Sequence, residues 1–169
     1  AAAIGKLWLL PLPSSFWVDE MVTAFVVRQG AAHPSLAVAP QVTATIYYWL
    51  PWAAERIFGF SEIAYRLPSV LAMAATLFLV ARLAMRLIHP EAGWFAVFAA
   101  LTLRGINYAA ADARPYALAM LMAAAALWFL VRWATATTLR RAGLSFDLAG
   151  AGLALGLSAL ALPLVLACV

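Results

Sequence analysis

Charged side chains are scarce in this chain of 169 residues. Asp, Glu, Lys and Arg together make up 11% of it, whereas ordinary soluble domains carry about 25%. Hydrophobic residues make up 67%, and the mean hydropathy is +0.95. This balance argues against a soluble domain and predicts a multi-pass protein of the cell membrane that contacts membrane lipids.

Residues for cross-links and for soft-metal sites are scarcer still. Cys168 is the only cysteine, so no disulfide can form within the chain, and with two separated histidines it argues against a Cys/His zinc site. The basic residues outnumber the acidic ones and give a net charge of +4. Most of them lie near the ends of apolar runs, where they suit lipid headgroups. No basic run contains interleaved aromatic residues, so we expect no nucleic-acid partner.

Long apolar runs predict the transmembrane segments, since a helix needs about 20 apolar residues to cross the hydrocarbon core. The first run is too short, so 1–13 is interpreted as the end of a first span in the N-terminal part of a longer domain. A signal peptide is the alternative there. The predicted fold is an all-α, polytopic transmembrane helical bundle. Its further spans are 63–88, 92–108 (interrupted by Arg104, which we expect near a water-facing end or in a cavity), 116–133 and 148–169.

The segment 14–62 is predicted to be an extracytoplasmic loop with two amphipathic interfacial helices. Acidic residues begin the first helix, 19–29, as suits a helix N-terminus. Clustered Tyr and Trp residues, which favour the headgroup level, mark the second helix, 43–58. Both helices are therefore predicted to lie along the membrane plane. A short transmembrane helix over 42–60 is the alternative, and Pro51 argues against it.

Counting the spans places two charged loops on the same side of the membrane. The loops 14–62 and 109–115 share one side, and the loops 89–91 and 134–146 share the other. Arginines lie more densely beside the second pair of loops, which favours the cytoplasm for that pair. The acidic pair of the first loop and the charged residues of 109–115 are then expected to meet on the extracytoplasmic face.

These two charged motifs are candidates for the functional site because charges near hydrocarbon are costly. Asp19 and Glu20 can serve as a general base toward a hydroxyl group or ligate a divalent cation. Arg114 carries the guanidinium fork that suits phosphate, and Asp112 can orient it or act as a second ligand. The structural alternatives are a helix cap for the acidic pair, an ion pair for Asp112 with Arg114, and an interfacial anchor for Arg66.

Four motifs follow one another between residue 16 and about residue 120. They are Phe16-Trp17-Val18-Asp19-Glu20, then Ile46-Tyr47-Tyr48, then Phe58-Gly59-Phe60-Ser61-Glu62 with Tyr65-Arg66-Leu67-Pro68-Ser69, and finally Asp112-Ala113-Arg114-Pro115-Tyr116-Ala117-Leu118. Their order and spacing resemble the polytopic glycosyltransferases of the GT-C fold, in the group of protein O-mannosyltransferases and lipid A aminoarabinose transferases. The chain departs from that pattern at Thr43-Ala44-Thr45, where many members have His-Pro-Pro, and at Ala111-Asp112, which replaces Gln-Glu.

The resemblance implies transfer of a sugar, with a mannose-like hexose favoured, from a polyprenyl-phosphate-linked donor. The acceptor would be a lipid, a glycan or a protein on the extracytoplasmic face. Asp19 and Glu20 are the predicted catalytic residues, with Asp19 as the key carboxylate, and Arg114 and Arg66 are the predicted ligands of the donor phosphate. The predicted supporting residues are Asp112, Tyr47, Tyr48 and Tyr116.

No cofactor follows from the motifs, although a divalent cation held by Asp19 and Glu20 stays open. Two other classes of function also stay open. A transporter or flippase of lipid-linked substrates would use outer charges too, but it would carry carboxylates inside the spans, and the charge that interrupts an apolar run here is the cation Arg104. A non-catalytic membrane scaffold would tolerate the substitution Asp19→Asn.

Overall fold

The protein is helical throughout the part of the chain that the structure describes. The computed structural model describes residues 4–29 and 46–135, together with Leu153. No strand occurs in these ranges, which confirms the predicted all-α class. A π-helical turn, Gly5–Leu9, and a 3₁₀ turn, Ile46–Tyr48, accompany the α-helices. The α-helices are α1 (Val18–Gln29), α2 (Trp49–Phe58), α3 (Glu62–Leu87), α4 (Ala92–Thr102), α5 (Arg104–Ala111) and α6 (Tyr116–Ala134).

The long helix α3 lies at the centre of the fold, since α2, α4, α5 and α6 all pack against it. Ser61 caps its start, because the Ser61 Oγ accepts a hydrogen bond from the Ala64 N–H at 3.2 Å. Among the described residues, α3 is the one helix long and apolar enough to cross a membrane alone. Helices α5 and α6, bent by 115° relative to each other, could together make a second crossing or a re-entrant loop. The predicted number of spans stays a prediction.

A glycine sets the spacing between α3 and α4. A Cβ atom at Gly93 of α4 would lie 2.8 Å from the Met85 Cγ and 3.2 Å from the Ala81 carbonyl oxygen, both in α3. Only a residue without a side chain allows this approach. The main core joins residues of the N-terminal segment, α3, α4, α5 and α6. Its buried members are Trp8, Leu12, Val70, Ala72, Met73, Leu77, Ala100, Ala109, Ala110 and Ala117.

The helix predicted over 92–108 is not continuous, because the chain becomes extended at Leu103, with φ −78° and ψ 119°. The side chain of Asn107 makes this break tolerable. Its Nδ2 donates to the carbonyl oxygens of Leu101 at 2.8 Å and Leu103 at 3.2 Å, and its Oδ1 accepts from the Trp8 Nε1 at 2.8 Å. The amide therefore gives the Leu101 carbonyl a partner at the break and adds a second donor to the Leu103 carbonyl, which also accepts from the Asn107 N–H at 3.3 Å. As a result α5 projects the residues after the break toward the N-terminal segment.

The two helices predicted in the first loop are present as α1 and as the 3₁₀ turn leading into α2. Residues 43–45 and most of the predicted span 148–169 lie outside the described residues. The loop helices are tied together by Glu55, which pairs with Arg28 at 3.3 Å and accepts a hydrogen bond from the Tyr65 hydroxyl. Their orientation in a membrane stays a prediction.

Candidate functional site

A buried ion pair joins the first motif to the third. Glu20 of α1 and Arg66 of α3 are each 1% exposed. The Arg66 Nε lies 2.7 Å from the Glu20 Oε1, and the Arg66 Nη2 lies 2.5 Å from the Glu20 Oε2. This two-pronged geometry fixes the orientation of both side chains. It holds the start of α1 against α3.

The remaining donors of Arg66 bind the backbone that precedes α1. The Arg66 Nη1 donates to the carbonyl oxygens of Leu12 at 2.8 Å and Ser14 at 2.7 Å, and the Nη2 donates to that of Ser15 at 3.2 Å. Each nitrogen of the guanidinium therefore has an acceptor. This geometry does not support the predicted role of Arg66 as a phosphate ligand. Arg66 instead positions the segment that carries the acidic motif.

Glu20 accepts hydrogen bonds from several groups and also shares a side-chain hydrogen bond with Asp112. Besides Arg66, it accepts from the Trp17 N–H at 3.0 Å and from the Ala113 N–H at 2.9 Å. Burial alone raises the pKa of Glu20, but the hydrogen bonds from Arg66, Ala113 and Trp17 outweigh it and lower the pKa overall. The bond to Trp17 spans three residues at the start of α1, as in half of a capping box. Glu20 is thus enclosed as a structural acceptor, and this arrangement does not favour a direct catalytic role for it.

Asp19 points to the other side of the same helix end. Its Oδ2 accepts a hydrogen bond from the Arg114 Nη1 at 2.8 Å, across 95 residues of sequence. The Asp19 side chain is 59% exposed and the Arg114 side chain 12%. The Arg114 guanidinium also lies over the Tyr116 ring, 5.2 Å from its centroid. The two charged motifs therefore meet in the structure, and their contact is open to the outside at Asp19. Their common position on the extracytoplasmic face stays a prediction.

Asp112 is a second buried carboxyl group beside Glu20. It is 5% exposed, and its Oδ2 has no hydrogen-bond partner among the described residues. Burial raises the pKa of Asp112 to about 7, and the negative charge of Glu20 adds to the shift, while Arg114 and Arg66 act against it. With this pKa, the Asp112 carboxyl group holds its proton in part of the molecules near neutral pH, where a carboxyl group in water is ionised.

A cavity of about 270 Å³ opens between the N-terminal segment and α5. Arg104 lies at this cavity and is exposed, as the interruption of an apolar run by an arginine predicts. Asp19 and Arg114 are not among the lining residues, but Glu20 and Asp112 are. The lining consists of Leu7, Pro11, Ser14, Trp17, Glu20, Arg66, Arg104, Asn107, Tyr108, Ala111 and Asp112.

The tyrosines predicted to support the site have packing roles in this arrangement. Tyr47 is 1% exposed and packs edge-on against Tyr48, with the ring centroids 5.4 Å apart. Burial holds the pKa of Tyr47 well above its usual range, so its hydroxyl stays protonated. The ring of Tyr116 packs against the Arg114 guanidinium.

A divalent cation does not fit this set of side chains well. Within 4–29 and 46–135, no group of three or more His, Cys, Asp and Glu residues lies close enough to hold a metal ion. The carboxylates of Asp19 and Glu20 each face an arginine, whereas hard cations need several oxygen ligands. We therefore derive no chemical step through a metal, and the cation at Asp19 and Glu20 stays an untested prediction.

Sequence reasoning missed the internal organisation of this site. It treated Asp19 and Glu20 as one functional pair, although the helix end separates them into an exposed and a buried carboxylate. The signal available was their spacing: adjacent helical positions point about 100° apart, so both cannot face the same partner. Nothing in the sequence indicated that backbone carbonyls of residues 11–15 would surround Arg66.

Comparison with known proteins supplies the family context. A family model described as dolichyl-phosphate-mannose-protein mannosyltransferase matches residues 42–168. The match contains Arg66, Asp112 and Arg114 but begins after the acidic motif. The contacts of Asp19 with Arg114 and of Glu20 with Arg66 bind that motif to the matched region. No curated protein and no solved structure matches the chain.

Proposed function

The chain belongs to the dolichyl-phosphate-mannose-protein mannosyltransferase family, which is of the GT-C type of membrane glycosyltransferases, and from this premise we propose a specific reaction. The enzyme transfers a mannose-like hexose from a polyprenyl-phosphate-linked donor to a hydroxyl group of a lipid, glycan or protein acceptor. Transfer takes place on the extracytoplasmic face of the cell membrane. The observation that carries the proposal is the Asp19–Arg114 pair, whose carboxylate is exposed. The buried Glu20–Arg66 pair holds the start of α1, on which Asp19 lies.

In the proposed step, Asp19 is the general base. The acceptor oxygen attacks C1 of the sugar while its proton passes to the Asp19 carboxylate. The bond between C1 and the phosphate oxygen breaks, and the bonding electrons leave with the polyprenyl phosphate. A carboxylate that remains 59% exposed while held by one hydrogen bond can reach an incoming hydroxyl group. The sugar is inverted at C1, since a single displacement occurs.

Arg114 has two roles in this proposal. Its Nη1 fixes the orientation of the Asp19 carboxylate, and its permanent positive charge binds the donor phosphate before the reaction and as that phosphate departs. The aromatic face of Tyr116 limits the movement of the guanidinium. Arg66 and Glu20 contribute indirectly, because they hold the end of α1 on which Asp19 lies.

The test uses the full-length protein in membranes with a polyprenyl-phosphate-linked sugar as donor. Asp19→Asn keeps the shape of the side chain and removes its basicity, so turnover should fall by roughly 10²–10⁴-fold. Glu91→Gln is the matched control, since Glu91 is an exposed acid in the turn between α3 and α4. Near-normal turnover in Asp19→Asn, at equal protein abundance, would contradict the proposal and favour a transporter or scaffold.

A further inference from the structure

Helices α3 and α6 run side by side in the same direction, and contacts join them at both ends. Near the candidate site, the Ser69 Oγ of α3 donates a hydrogen bond at 3.4 Å to the Arg114 carbonyl oxygen, just before α6. Further along, the Arg86 Nη2 of α3 donates to the Thr135 Oγ1, just after α6. The two contacts lie about 25 Å apart along α3. We call the second of these ends, formed by residues 82–91 and 128–135, the distal end.

The distal end carries an excess of positive charge. It contains three arginines, Arg82, Arg86 and Arg132, and one acidic residue, Glu91. Neither Arg82 nor Arg86 forms an ion pair within 4–29 and 46–135. Acidic and basic residues are mixed at the other end of α3 and in the segments beside it, where three ion pairs join them. The described acids of that end are Asp19, Glu20, Glu55, Glu62 and Asp112.

The three arginines of the distal end lie around one contact between α3 and α6, and all three are exposed. Arg82 and Arg86 are four residues apart, so they share one face of α3. The Arg86 guanidinium reaches across to α6, where it lies 5.9 Å from the centroid of the Trp128 ring. Arg132 follows Trp128 by four residues and shares its face of α6. One turn of helix on either side of the Arg86–Trp128 contact therefore brings the cations together.

The negative ends of the two helices explain only part of this arrangement. Cations are favoured in the last turn of a helix, and Arg86 in α3 and Arg132 in α6 occupy that turn. Arg82 lies one turn earlier, where the effect of the helix end has declined. Its guanidinium lies over the ring of Phe78, 5.7 Å from the centroid, and that ring is itself 61% exposed. Arg82 and Phe78 therefore present a charge and an apolar surface side by side.

Exposed apolar side chains continue this surface onto the start of α4. Trp94 is 82% exposed and Phe95 76%. The close approach of Gly93 to Met85 holds this part of α4 against the same part of α3 that carries Arg82 and Arg86. A small free anion has no use for such an apolar border. A phospholipid does, because acyl chains adjoin its phosphate, and Trp residues favour the level of the headgroups.

We propose that the distal end binds the headgroup of an anionic phospholipid, with Arg82, Arg86 and Arg132 around the phosphate and with Phe78 and Trp94 beside the acyl chains. Because α3 is long and apolar enough to cross a membrane alone, this lipid belongs to the leaflet opposite the candidate site. Anionic lipids are enriched in the cytoplasmic leaflet, which agrees with the side predicted for the loop 89–91. This binding is separate from the proposed reaction, which takes place at the other end of the bundle.

The experiment measures lipid binding by native mass spectrometry of the purified full-length protein in a neutral detergent. The probes are dioleoyl phosphatidylglycerol, which is anionic, and dioleoyl phosphatidylcholine, which has the same chains and no net charge. Each arginine near an anionic lipid surface contributes about fivefold to binding. The unmodified protein should therefore bind the anionic lipid at least about tenfold more tightly than the neutral one.

Arg82 is the arginine to replace, because Arg86 also ties α3 to α6. Arg82→Gln should weaken binding of the anionic lipid by about fivefold and leave binding of the neutral lipid and the melting temperature unchanged. Arg82→Lys should keep most of the affinity, since it keeps the charge. The matched control is Arg56→Gln in α2, because Arg56 also lies over a ring four residues earlier, 5.2 Å from the Trp52 centroid. Its affinity should stay within about twofold of the unmodified protein.

A soluble competitor separates a lipid from a free anion. Glycerophosphoglycerol has the anionic headgroup without the acyl chains, so it should displace the bound lipid only at concentrations at least about tenfold higher than the lipid itself requires. Displacement at equal concentration would overturn the lipid in favour of a small anion. Equal affinity for the two lipids, or unchanged affinity in Arg82→Gln, would overturn the site. An equal loss in Arg56→Gln would also overturn it, because the attraction would then come from the net charge of the whole protein.

Discussion

Two arginine–carboxylate pairs at one end of α1 have the same chemistry and opposite surroundings. In the first, Glu20 and Arg66 are each 1% exposed and every nitrogen of the arginine has an acceptor. In the second, Asp19 is 59% exposed and Arg114 12%. The comparison teaches that a fully buried ion pair stabilises the fold. An ion pair whose carboxylate is exposed can also take part in a reaction. The carboxylates of the two pairs, Asp19 and Glu20, belong to adjacent residues.

Breaking the buried pair should have the largest effect on stability. Arg66→Met keeps much of the side-chain volume but leaves the Glu20 carboxylate buried without its partner, along with the carbonyl oxygens of residues 11–15. Removing one member of a buried pair typically costs about 3–5 kcal/mol. We expect a clear fall in the melting temperature of the purified protein and in its yield from membranes.

An exposed pair provides the control for that experiment. Arg28 pairs with Glu55 at 3.3 Å, with side chains 54% and 21% exposed. Arg28→Met should change the free energy of unfolding by no more than about 1 kcal/mol, as is usual for surface pairs. Equal losses in Arg28→Met and Arg66→Met would remove the distinction between the two kinds of pair.

Replacing Asp112 should have a smaller effect on stability, and this effect should depend on pH. Its pKa is raised from 3.8 to about 7, so the folded protein binds its proton more tightly than the unfolded chain does. This contribution to stability is complete below the unfolded value, declines as the pH rises above it and is lost as the pH passes about 7. Asp112→Asn should therefore flatten the fall in melting temperature between about pH 4 and about pH 7. Identical profiles for the variant and the unmodified protein would contradict the shifted pKa.

Glu20 acts in a different pH range, which keeps the two carboxyl groups separable. Its pKa is lowered from 4.5, so its contribution is present above that value and is lost only as the pH falls below it. A stability change near neutral pH therefore belongs to Asp112 and not to Glu20.

The exposed pair should give the smallest of these effects when its charge is kept. Arg114→Lys retains the cation but loses the planar fork that holds Asp19. We expect the KM for the lipid-linked donor to rise by roughly tenfold with a smaller change in kcat, and no change in melting temperature. A loss of kcat at unchanged KM would show that Arg114 acts on the base alone.

The sequence was enough to predict the helical class and the helix that became α3, because both follow from composition and long apolar runs. Counting the spans predicted that the acidic motif and the loop 109–115 share one side of the membrane. The span count stays a prediction, and the structure shows that Asp19 and Arg114 are in contact. The sequence was not enough to predict the environment of Arg66, because an arginine before an apolar run suits an interfacial anchor equally well. Only the fold shows that residues 11–15 wrap around it.

The helix break at Leu103 could not be predicted from the sequence for a related reason. The run 92–108 contains no proline, so its pattern favours one helix interrupted by a charge. What stabilises the break is the side chain of Asn107, which bonds to Leu101, Leu103 and Trp8. The partner Trp8 is distant in sequence, and a contact over that separation leaves no periodic signal.

The most direct test of the account compares Asp19→Asn with Glu20→Gln in the same assay. Turnover per folded molecule, with a polyprenyl-phosphate-linked sugar as donor, is measured beside the melting temperature of each variant. We predict that Asp19→Asn melts like the unmodified protein and loses roughly 10²–10⁴-fold in turnover. Glu20→Gln should melt at a lower temperature and keep most of its turnover per folded molecule. The reverse pattern, in which Glu20→Gln loses turnover without loss of stability and Asp19→Asn remains active, would contradict the assignment of the buried pair to the fold and of the exposed pair to the reaction.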